Sequence, residues 1–328
     1  MTTQRVLGLD SITSQKNNLM KKVIIIQHGG GELANQLWNF ASIYAYCKEK
    51  GFDCQNYSFF EYGQYFNIPA TNPVVDFIFF RPFAGHHKRR SSFRTRFWRF
   101  IYKLYVKIVI FLFKNQVVSS VNIDGKKYYL PPTAENEQLK ILAKNNDTLY
   151  FTGWLFRNPQ GMLKYRKEIA DYLKPKKEYT LPVEKIIADA KNKYKNIIGV
   201  HIRQTDYRTH KGGKYFIPQA RVREILDEYL TTSNKKPQET LFVATSDEPI
   251  SKDIFKGLNI LTNKGNAIED LYMLSLCDVV IGSNSSFGNF AAYYGNKTHI
   301  ILQNEKMDWD YYKDKHCYFE NKYSVMFT

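Results

Sequence analysis

The sequence predicts an α/β protein with parallel sheets, because short apolar strands alternate with amphipathic helices along most of the chain. The run NIIGVHI (196–202) is continuously apolar, which is typical of a strand that is buried on both faces of a sheet. Of the 328 residues, 44% are hydrophobic, enough for a packed core. No stretch approaches the roughly 18 apolar residues that a membrane span requires.

The first half of the chain predicts one α/β unit that is rich in aromatic residues. Leu33, Leu37, Phe40 and Tyr44 recur at helical spacing, and Gly51 ends that helix. The predicted elements are, in order, a strand at 23–26, a helix from about 34 to 50, mixed strand and loop at 52–80, a basic helix at 88–114, a strand at 148–154 and a helix at 162–173.

The second half has a more regular rhythm of strands and helices. Its predicted elements are a strand at 196–202, a helix at 221–230, a strand at 240–246, a helix at 268–277, a strand at 278–284, a helix at 287–295 and a strand at 298–303. This alternation predicts a parallel sheet with helices on both faces. Ligands bind to such sheets beyond the carboxyl ends of the strands.

The length of the chain allows two domains of ordinary size. The polar stretch 174–182 contains two prolines and predicts the boundary between them. We therefore expect an N-terminal α/β domain over 20–178 and a C-terminal α/β domain over 179–328. Residues 1–19 are expected to be a disordered extension, since Met20 is a second potential start directly before the first strand.

A few motifs bear on the cellular compartment of the protein and on whether it binds a metal ion. The N-terminus lacks the apolar segment of a signal peptide, and the four cysteines form no C-x-x-C pair, so a reducing cytoplasm is expected. Asp308-Trp-Asp310 has the D-x-D form of a metal-dependent glycosyltransferase site. It follows the last predicted strand, however, and favours a loop.

Three strands of the second half each end in polar residues. His201, Arg203 and Asp206 follow the first, Ser246-Asp247 follows the second, and Ser283-Asn284-Ser285-Ser286 follows the third and opens a helix. An arginine offers paired donors to a phosphate, and a helix N-terminus binds anions without a metal. Each group alone would also suit an ordinary salt bridge or helix cap. Together they predict a site for a nucleoside diphosphate.

Several motifs resemble those of the α-1,2-fucosyltransferases, glycosyltransferase family 11. They lie in the same order from about residue 23 to 303 and are GELANQLWNFA, YFTGW, HIRQTDY, FVATSDEP and IEDLYMLSLCDVVIGSNSSF. The resemblance implies a GT-B-like fold, with two Rossmann-type α/β domains and a cleft between them. It also implies metal-independent, inverting transfer of L-fucose from GDP-β-L-fucose to an acceptor hydroxyl, with no further cofactor.

The resemblance also implies roles for individual residues. Arg203 would hold the diphosphate, and His201, Asp247 and the serine turn at 283–286 would contact the nucleotide. The C-terminal domain would thus bind the nucleotide sugar and the N-terminal domain the acceptor. The chain departs from the family where Gln204 replaces a second arginine and where Gly288-Asn289-Phe290 replaces a serine and two tryptophans.

Departure of GDP leaves negative charge on its β-phosphate, which Arg203 and the Ser285–Ser286 turn could stabilise. Modest base assistance to the acceptor oxygen could come from Asp206, Glu32 or His28. Structural alternatives remain for two of these residues. Asp206 would then only orient Arg203, and Glu32 would only complement a helix dipole.

The segment HGGGELANQ after the first strand allows two interpretations. Gly29-x-Gly31-x-x-Ala34 fits a dinucleotide fingerprint, which would indicate an NAD(P)-dependent enzyme. The acidic Glu32 is unfavourable beside a pyrophosphate, so we expect the turn to face the acceptor instead. The predicted substrate contacts are His28, Asn35, Gln36 and Trp154.

The net charge of +16 is concentrated in one segment. No acidic residue lies between Asp76 and Asp124, and that interval contributes +10. Within 88–114, basic residues alternate with aromatic and aliphatic ones, as in a helix that lies on an anionic membrane. We expect the protein to be peripheral to the inner face of the cytoplasmic membrane and not to bind nucleic acid. An ordinary helix packed on its own domain and a non-enzymatic basic module are the alternatives.

Overall fold

The computed structural model describes residues 21–27, 32–68, 72–81, 93–119, 121–123, 126–128, 137–153, 156–263, 265–313 and 321–324. The helices are α1 (Leu33–Lys50), α2 (Pro73–Val75, continued as a π-turn to Phe80), α3 (Phe93–Leu112), α4 (Glu137–Asn145), α5 (Pro159–Lys164), α6 (Arg166–Tyr172), α7 (Lys177–Lys191), α8 (Gln219–Thr232), α9 (Ala267–Leu276) and α10 (Ser286–Gly295). The strands are β1 (Lys22–Gln27), β2 (Asp53–Asn56), β3 (Val117–Ser119), β4 (Val121–Ile123), β5 (Lys126–Tyr128), β6 (Thr148–Thr152), β7 (Asn196–Ile202), β8 (Thr240–Ser246), β9 (Asn259–Thr262), β10 (Val279–Gly282) and β11 (Thr298–Ile301).

Two parallel sheets form the framework of the described residues. The first half contributes a sheet in the order β2-β1-β6-β3, and the second half one in the order β11-β10-β7-β8-β9. Strands β4 and β5 form a separate antiparallel pair. Parallel strands need crossover helices, and those helices bury the apolar runs that the sequence showed. The predicted α/β class is confirmed.

Helix α1 joins the two halves. It buries nearly its whole length, and Gly51 ends it in a left-handed conformation with φ of 66°. Trp38 on this helix is fully buried against Phe290 and Tyr293 of α10, and its indole N–H donates to the Ser286 carbonyl at 3.0 Å. The first turns of α1 and α10 are therefore fixed relative to each other.

Some elements differ from the prediction. The helix predicted at 162–173 is two helices, because Tyr165 between them has non-helical angles. Residues 177–182, predicted as part of a polar linker, form the beginning of α7, which contains Pro182 as an interior residue. The domain boundary itself stays a prediction. Residues 1–19, Gly29–Gly31 and the beginning of the basic segment at 88–92 lie outside the described residues.

No helix in the described part of the chain is both long and apolar enough to span a bilayer.

Candidate functional site

The three polar strand ends predicted from the sequence lie side by side. Strand β7 is flanked by β10 and β8, and the register pairs Gly282 with His201 and Ser246 with Ile202. The turns that follow these strands therefore leave the sheet at one edge. Residues from 201 to 206, from 246 to 247 and from 283 to 286 are brought together there.

Arg203 is the central cation of this edge. Its Nε and Nη2 donate to the two carboxylate oxygens of Asp206 at 2.8 and 2.9 Å, and its guanidinium lies 5.2 Å from the centre of the Tyr207 ring. The hydrogen bond raises the pKa of Arg203 and lowers that of Asp206. The Arg203 side chain is 31% exposed, so a ligand can reach it. Asp206 thus occupies the orienting position that the sequence allowed as an alternative to catalysis.

Asp247 holds the turn that carries Arg203. Its Oδ1 accepts from the Gln204 backbone N–H at 2.7 Å, and its Oδ2 accepts from the Thr205 N–H at 3.3 Å and from the Thr205 hydroxyl at 2.5 Å. Gln204 itself is buried and donates to the Ile217 carbonyl at 2.8 Å. Gln204, which replaces the second arginine of the family motif, therefore has a structural contact in this chain.

The serine turn connects β10 to the first turn of α10. The Ser283 hydroxyl accepts from the Arg203 backbone N–H at 2.9 Å, and the side chain of Asn284 donates to the Tyr323 carbonyl at 2.7 Å. Ser285 is the N-cap residue of α10, but its hydroxyl lies 3.3 Å from His201 Nδ1 and forms no cap. The first backbone N–H groups of a helix have no partner within it. Those of α10, which begins at Ser286, open towards the same edge and favour an anion.

His201 is buried beneath this turn beside a second histidine. Its ring lies 5.1 Å from that of Phe287, and burial together with Arg203 lowers its pKa to about 4. His299 on β11 is fully buried, and burial lowers its pKa to about 3. A Cβ at Gly288 would lie 3.2 Å from a ring nitrogen of each histidine. The glycine that replaces the family serine therefore leaves room for both neutral rings.

Three of the residues predicted for the acceptor side, the candidate base Glu32 and the substrate contacts Asn35 and Gln36, lie at the beginning of α1. Glu32 is the N-cap residue, makes no side-chain cap, and accepts from the Tyr62 hydroxyl at 2.8 Å. Asn35 is half-buried and Gln36 is buried in the first turn. His28 and Trp154, which were also predicted to contact substrate, lie outside the described residues.

Two residues at this edge were missed in the sequence. Asp270, in the first turn of α9, accepts from the Asn263 side chain at 3.0 Å, and burial raises its pKa to about 6. The signal was an acidic residue at the beginning of an otherwise apolar helix. Tyr207 lies against Arg203 and donates to the Asn284 carbonyl at 2.8 Å, linking two of the turns. Nothing in its local sequence distinguished it from a core aromatic residue.

Among the described residues, no three or more His, Cys, Asp or Glu side chains are grouped so that they could hold a metal ion. Asp308 of the D-x-D sequence accepts from Lys322 at 2.7 Å and from the Tyr323 hydroxyl at 2.8 Å. Asp310 pairs with Lys313 at 2.5 Å. Both aspartates therefore have surface partners in the C-terminal segment, which agrees with the predicted loop.

Comparison with known proteins agrees with this geometry. The family profile described as glycosyl transferase family 11 matches residues 114–324. None of the curated proteins compared matches the sequence significantly.

Three solved structures show the same fold. A FUT1 mutant from Arabidopsis thaliana in complex with GDP is 14% identical, with a TM-score of 0.55 over 89% of this chain and 73% of that one. POFUT1 in complex with GDP-fucose is 11% identical, with a TM-score of 0.51 over 88% and 98%. POFUT1 in complex with GDP is 12% identical, with a TM-score of 0.52 over 87% and 99%. The predicted GT-B-like architecture is confirmed.

Proposed function

Because the chain belongs to glycosyl transferase family 11, the α-1,2-fucosyltransferase family that its motifs resemble, we propose that it transfers L-fucose from GDP-β-L-fucose to a glycan hydroxyl. The predicted enzyme class, a glycosyltransferase, is confirmed by this membership. The sequence left open two alternatives, an NAD(P)-dependent enzyme and a non-enzymatic basic module. Membership of a glycosyltransferase family argues against both.

One observation carries the assignment of the donor site: the cation of Arg203 and the N-terminus of α10 lie at one edge of the second sheet. Ser283 ties them together through the Arg203 backbone N–H. A diphosphate bound between them would meet a permanent positive charge and a row of N–H donors. His201, Asn284, Ser285 and Ser286 complete the proposed nucleotide contacts. Asp247 supports them by holding the turn of Arg203.

The proposed reaction is an inverting displacement that needs no metal ion. The acceptor oxygen forms a bond to the fucose C1 while the bond from C1 to the β-phosphate oxygen breaks. The electron pair leaves with GDP, and Arg203 and the α10 N–H groups stabilise the added charge. The proton of the acceptor hydroxyl passes to a carboxylate.

The donor site has a direct test in GDP binding, measured by calorimetry with UDP and NAD as comparisons and with a chelator present. We expect GDP to bind more tightly than UDP or NAD, and to do so in the presence of the chelator. Arg203→Ala should weaken GDP binding roughly 10- to 100-fold, because charged hydrogen bonds are lost. Arg223→Ala, which removes an arginine paired with Asp227 on α8, is the control and should bind GDP normally. Tighter binding of UDP or NAD would contradict the proposal.

Glu32 is the better placed of the two described carboxylates to act as base. Asp206 is held as an anion by Arg203, which lowers its pKa and weakens it as a base. Glu32 belongs to the opposite domain, where its partner is the Tyr62 hydroxyl, and it makes no side-chain cap. We assign Glu32 to accept the proton and Asp206 to orient the cation.

Replacing Glu32 by Gln should lower turnover by roughly 100- to 10,000-fold while leaving GDP affinity unchanged, since general base catalysis contributes on that order. Glu178→Gln changes an exposed carboxylate in the first turn of α7 and serves as the control for a dipole effect. Equal turnover of Glu32→Gln and the wild-type enzyme would reduce Glu32 to a structural role.

The proposed acceptor is the galactose O2 of a surface polysaccharide or of a lipid-linked oligosaccharide, as the family resemblance implies. Asn35 and Gln36 in the first turn of α1 would supply its polar contacts, and His28 and Trp154 are the other two predicted contacts. Transfer to another linkage is the second candidate, since the departures at Asn289 and Phe290 alter the motif after the serine turn.

A further inference from the structure

Helix α3 packs on its own domain through one face only. Tyr102, Val106 and Val109 are buried on that face, with Phe60 and Phe79 beneath them. The Tyr102 hydroxyl donates to the Ile26 carbonyl at 2.6 Å. The interpretation of this segment as an ordinary packed helix therefore holds for this face.

The opposite face exposes large apolar side chains to solvent. This exposed stripe consists of Phe93 (86% exposed), Phe97 (49%), Phe100 (65%), Leu104 (50%), Ile108 (50%) and Phe111 (83%). Its members follow one another at intervals of three or four residues, so at about 100° per residue they share one side of the helix. The most exposed members mark both ends of a helix of 20 residues. An apolar surface of this length that is exposed to solvent is characteristic of a binding surface.

Basic residues lie along one edge of the exposed stripe. At the same angular spacing, Arg96, Lys103 and Lys107 fall on a line between the stripe and the buried face, and all three are exposed. Arg99, which lies between them in the sequence, is half-buried and pairs with Glu61 at 2.5 Å instead. The segment from 77 to 123 contains no acidic residue. Arg96, Lys103 and Lys107 form no ion pair with another described residue, so this edge carries an excess of positive charge.

We propose that α3 is a membrane-docking helix that lies on a bilayer containing anionic lipid. The stripe would enter the boundary between head groups and acyl chains, and Arg96, Lys103 and Lys107 would contact the phosphates. A second copy of the chain fits this face less well, because pairing would bring two sets of like charges together. Nucleic acid would meet phenylalanines and leucine where its phosphates require cations.

The docking face is connected to the first turn of α1. Both nitrogens of the Arg99 fork donate to Glu61 at 2.5 Å, and the adjacent Tyr62 donates to Glu32 at 2.8 Å. Tyr102 adds a contact to the carboxyl end of β1 through Ile26. A bilayer bound along α3 therefore lies next to the predicted acceptor side of the cleft.

The test is co-sedimentation of the full chain with vesicles. We expect it to pellet with phosphatidylcholine vesicles that contain phosphatidylglycerol, and to pellet less with phosphatidylcholine alone or at high salt, where charges are screened. Phe100→Ser/Leu104→Ser/Ile108→Ser changes exposed positions only and should weaken binding at least roughly tenfold. Lys103→Gln/Lys107→Gln should weaken it roughly tenfold on the anionic vesicles alone.

Matched controls separate the face from general surface properties. Leu181→Ser, which removes an exposed apolar residue of α7, and Lys185→Gln/Lys193→Gln, which remove exposed lysines, should sediment like the wild type. Thermal unfolding checks that all variants are folded. Recovery of the wild type in the supernatant at low salt would overturn the proposal. So would a stripe variant that still pellets fully but loses self-association, because the partner would then be a second copy.

Discussion

At the scale of single residues, the buried histidine pair is the most unusual feature of the donor side. Polar side chains in protein cores normally find hydrogen-bond partners. Neither ring nitrogen of His299 has one among the described residues, and the ring is fully buried. The neutral form is therefore strongly favoured, as the pKa of about 3 indicates. Its neighbour His201 is neutral as well, because burial and the charge of Arg203 lower its pKa to about 4.

This pair predicts that the protein loses stability in mild acid. Between pH 6.5 and about 3 the unfolded chain binds a proton at residue 299 and the folded chain does not, so the free energy of unfolding falls as pH falls. The slope should be about 1.4 kcal/mol per pH unit for each histidine. His299→Leu should reduce this slope by about 1.4 kcal/mol per pH unit, the contribution of one proton, when the free energy of unfolding is measured by denaturant titration between pH 6.5 and 4.

The control for that measurement is Ile300→Leu, at a buried position of the same strand without an ionisable group, which should keep the wild-type slope. At neutral pH the free energy of unfolding of His299→Leu should be within about 1 kcal/mol of the wild-type value, because no side-chain hydrogen bond is lost. An unchanged acid slope in His299→Leu would show that the ring is charged or hydrated in the folded state.

The residue types of the donor side could be predicted from the sequence, but their contacts could not. Arginine, aspartate and serine after three strands predicted one polar edge, since parallel strands end together. The sequence could not show that Asp247 binds backbone N–H groups of the Arg203 turn, because this contact spans 43 residues. It also left open whether Asp206 is a base or a partner of Arg203. The bidentate geometry favours the partner.

At the scale of elements, the bounds of a helix were easier to predict than the side on which it packs. The beginning of α1 was predicted within one residue and its end at Lys50, because apolar residues recur at helical spacing and Gly51 ends the helix. Around α3, apolar residues cover both the buried and the exposed sides, so the sequence could not show which side packs. Pro182 was taken as a breaker, but it is the sixth residue of α7, where tertiary packing outweighs one lost hydrogen bond.

The contact between α1 and α10 predicts that GDP binding depends on a residue from the first half of the chain. Trp38→Phe keeps most of the packing on Phe290 and Tyr293 but leaves the Ser286 carbonyl without its indole donor. The variant should lose about 1–3 kcal/mol of stability. Calorimetry should also show GDP affinity lower by roughly threefold to tenfold, because Ser286 begins the helix that we propose to bind the phosphates.

Trp309→Phe provides the comparison within the C-terminal half. Its indole donates to Glu228 at 3.0 Å, away from the serine turn. We expect it to lose stability and to keep GDP affinity. If both variants bound GDP equally well, α1 would contribute to folding alone.

At the scale of the whole molecule, the two parallel sheets were predictable, because strands and helices alternate along the chain. The order of the strands within each sheet was not predicted. The separation into residues 20–178 and 179–328 remains a prediction. The largest hydrophobic cluster includes Leu37 and Phe151 from the first half together with Ile268 and Phe290 from the second. The two halves of the chain therefore share one hydrophobic cluster. A sequence pattern shows that these residues are apolar but not which half covers them.

The pairing of Arg203 with Asp206 also bears on how the enzyme, under the proposed function, would finish a cycle. The carboxylate lies three residues along the same turn, so it is present at high effective concentration whenever the phosphate loosens. Asp206 would then replace the product as the partner of the Arg203 guanidinium, so the cation would keep a hydrogen-bonded counter-ion. A nucleotide bound by Arg203 has a built-in competitor, which favours prompt product release over the tightest binding.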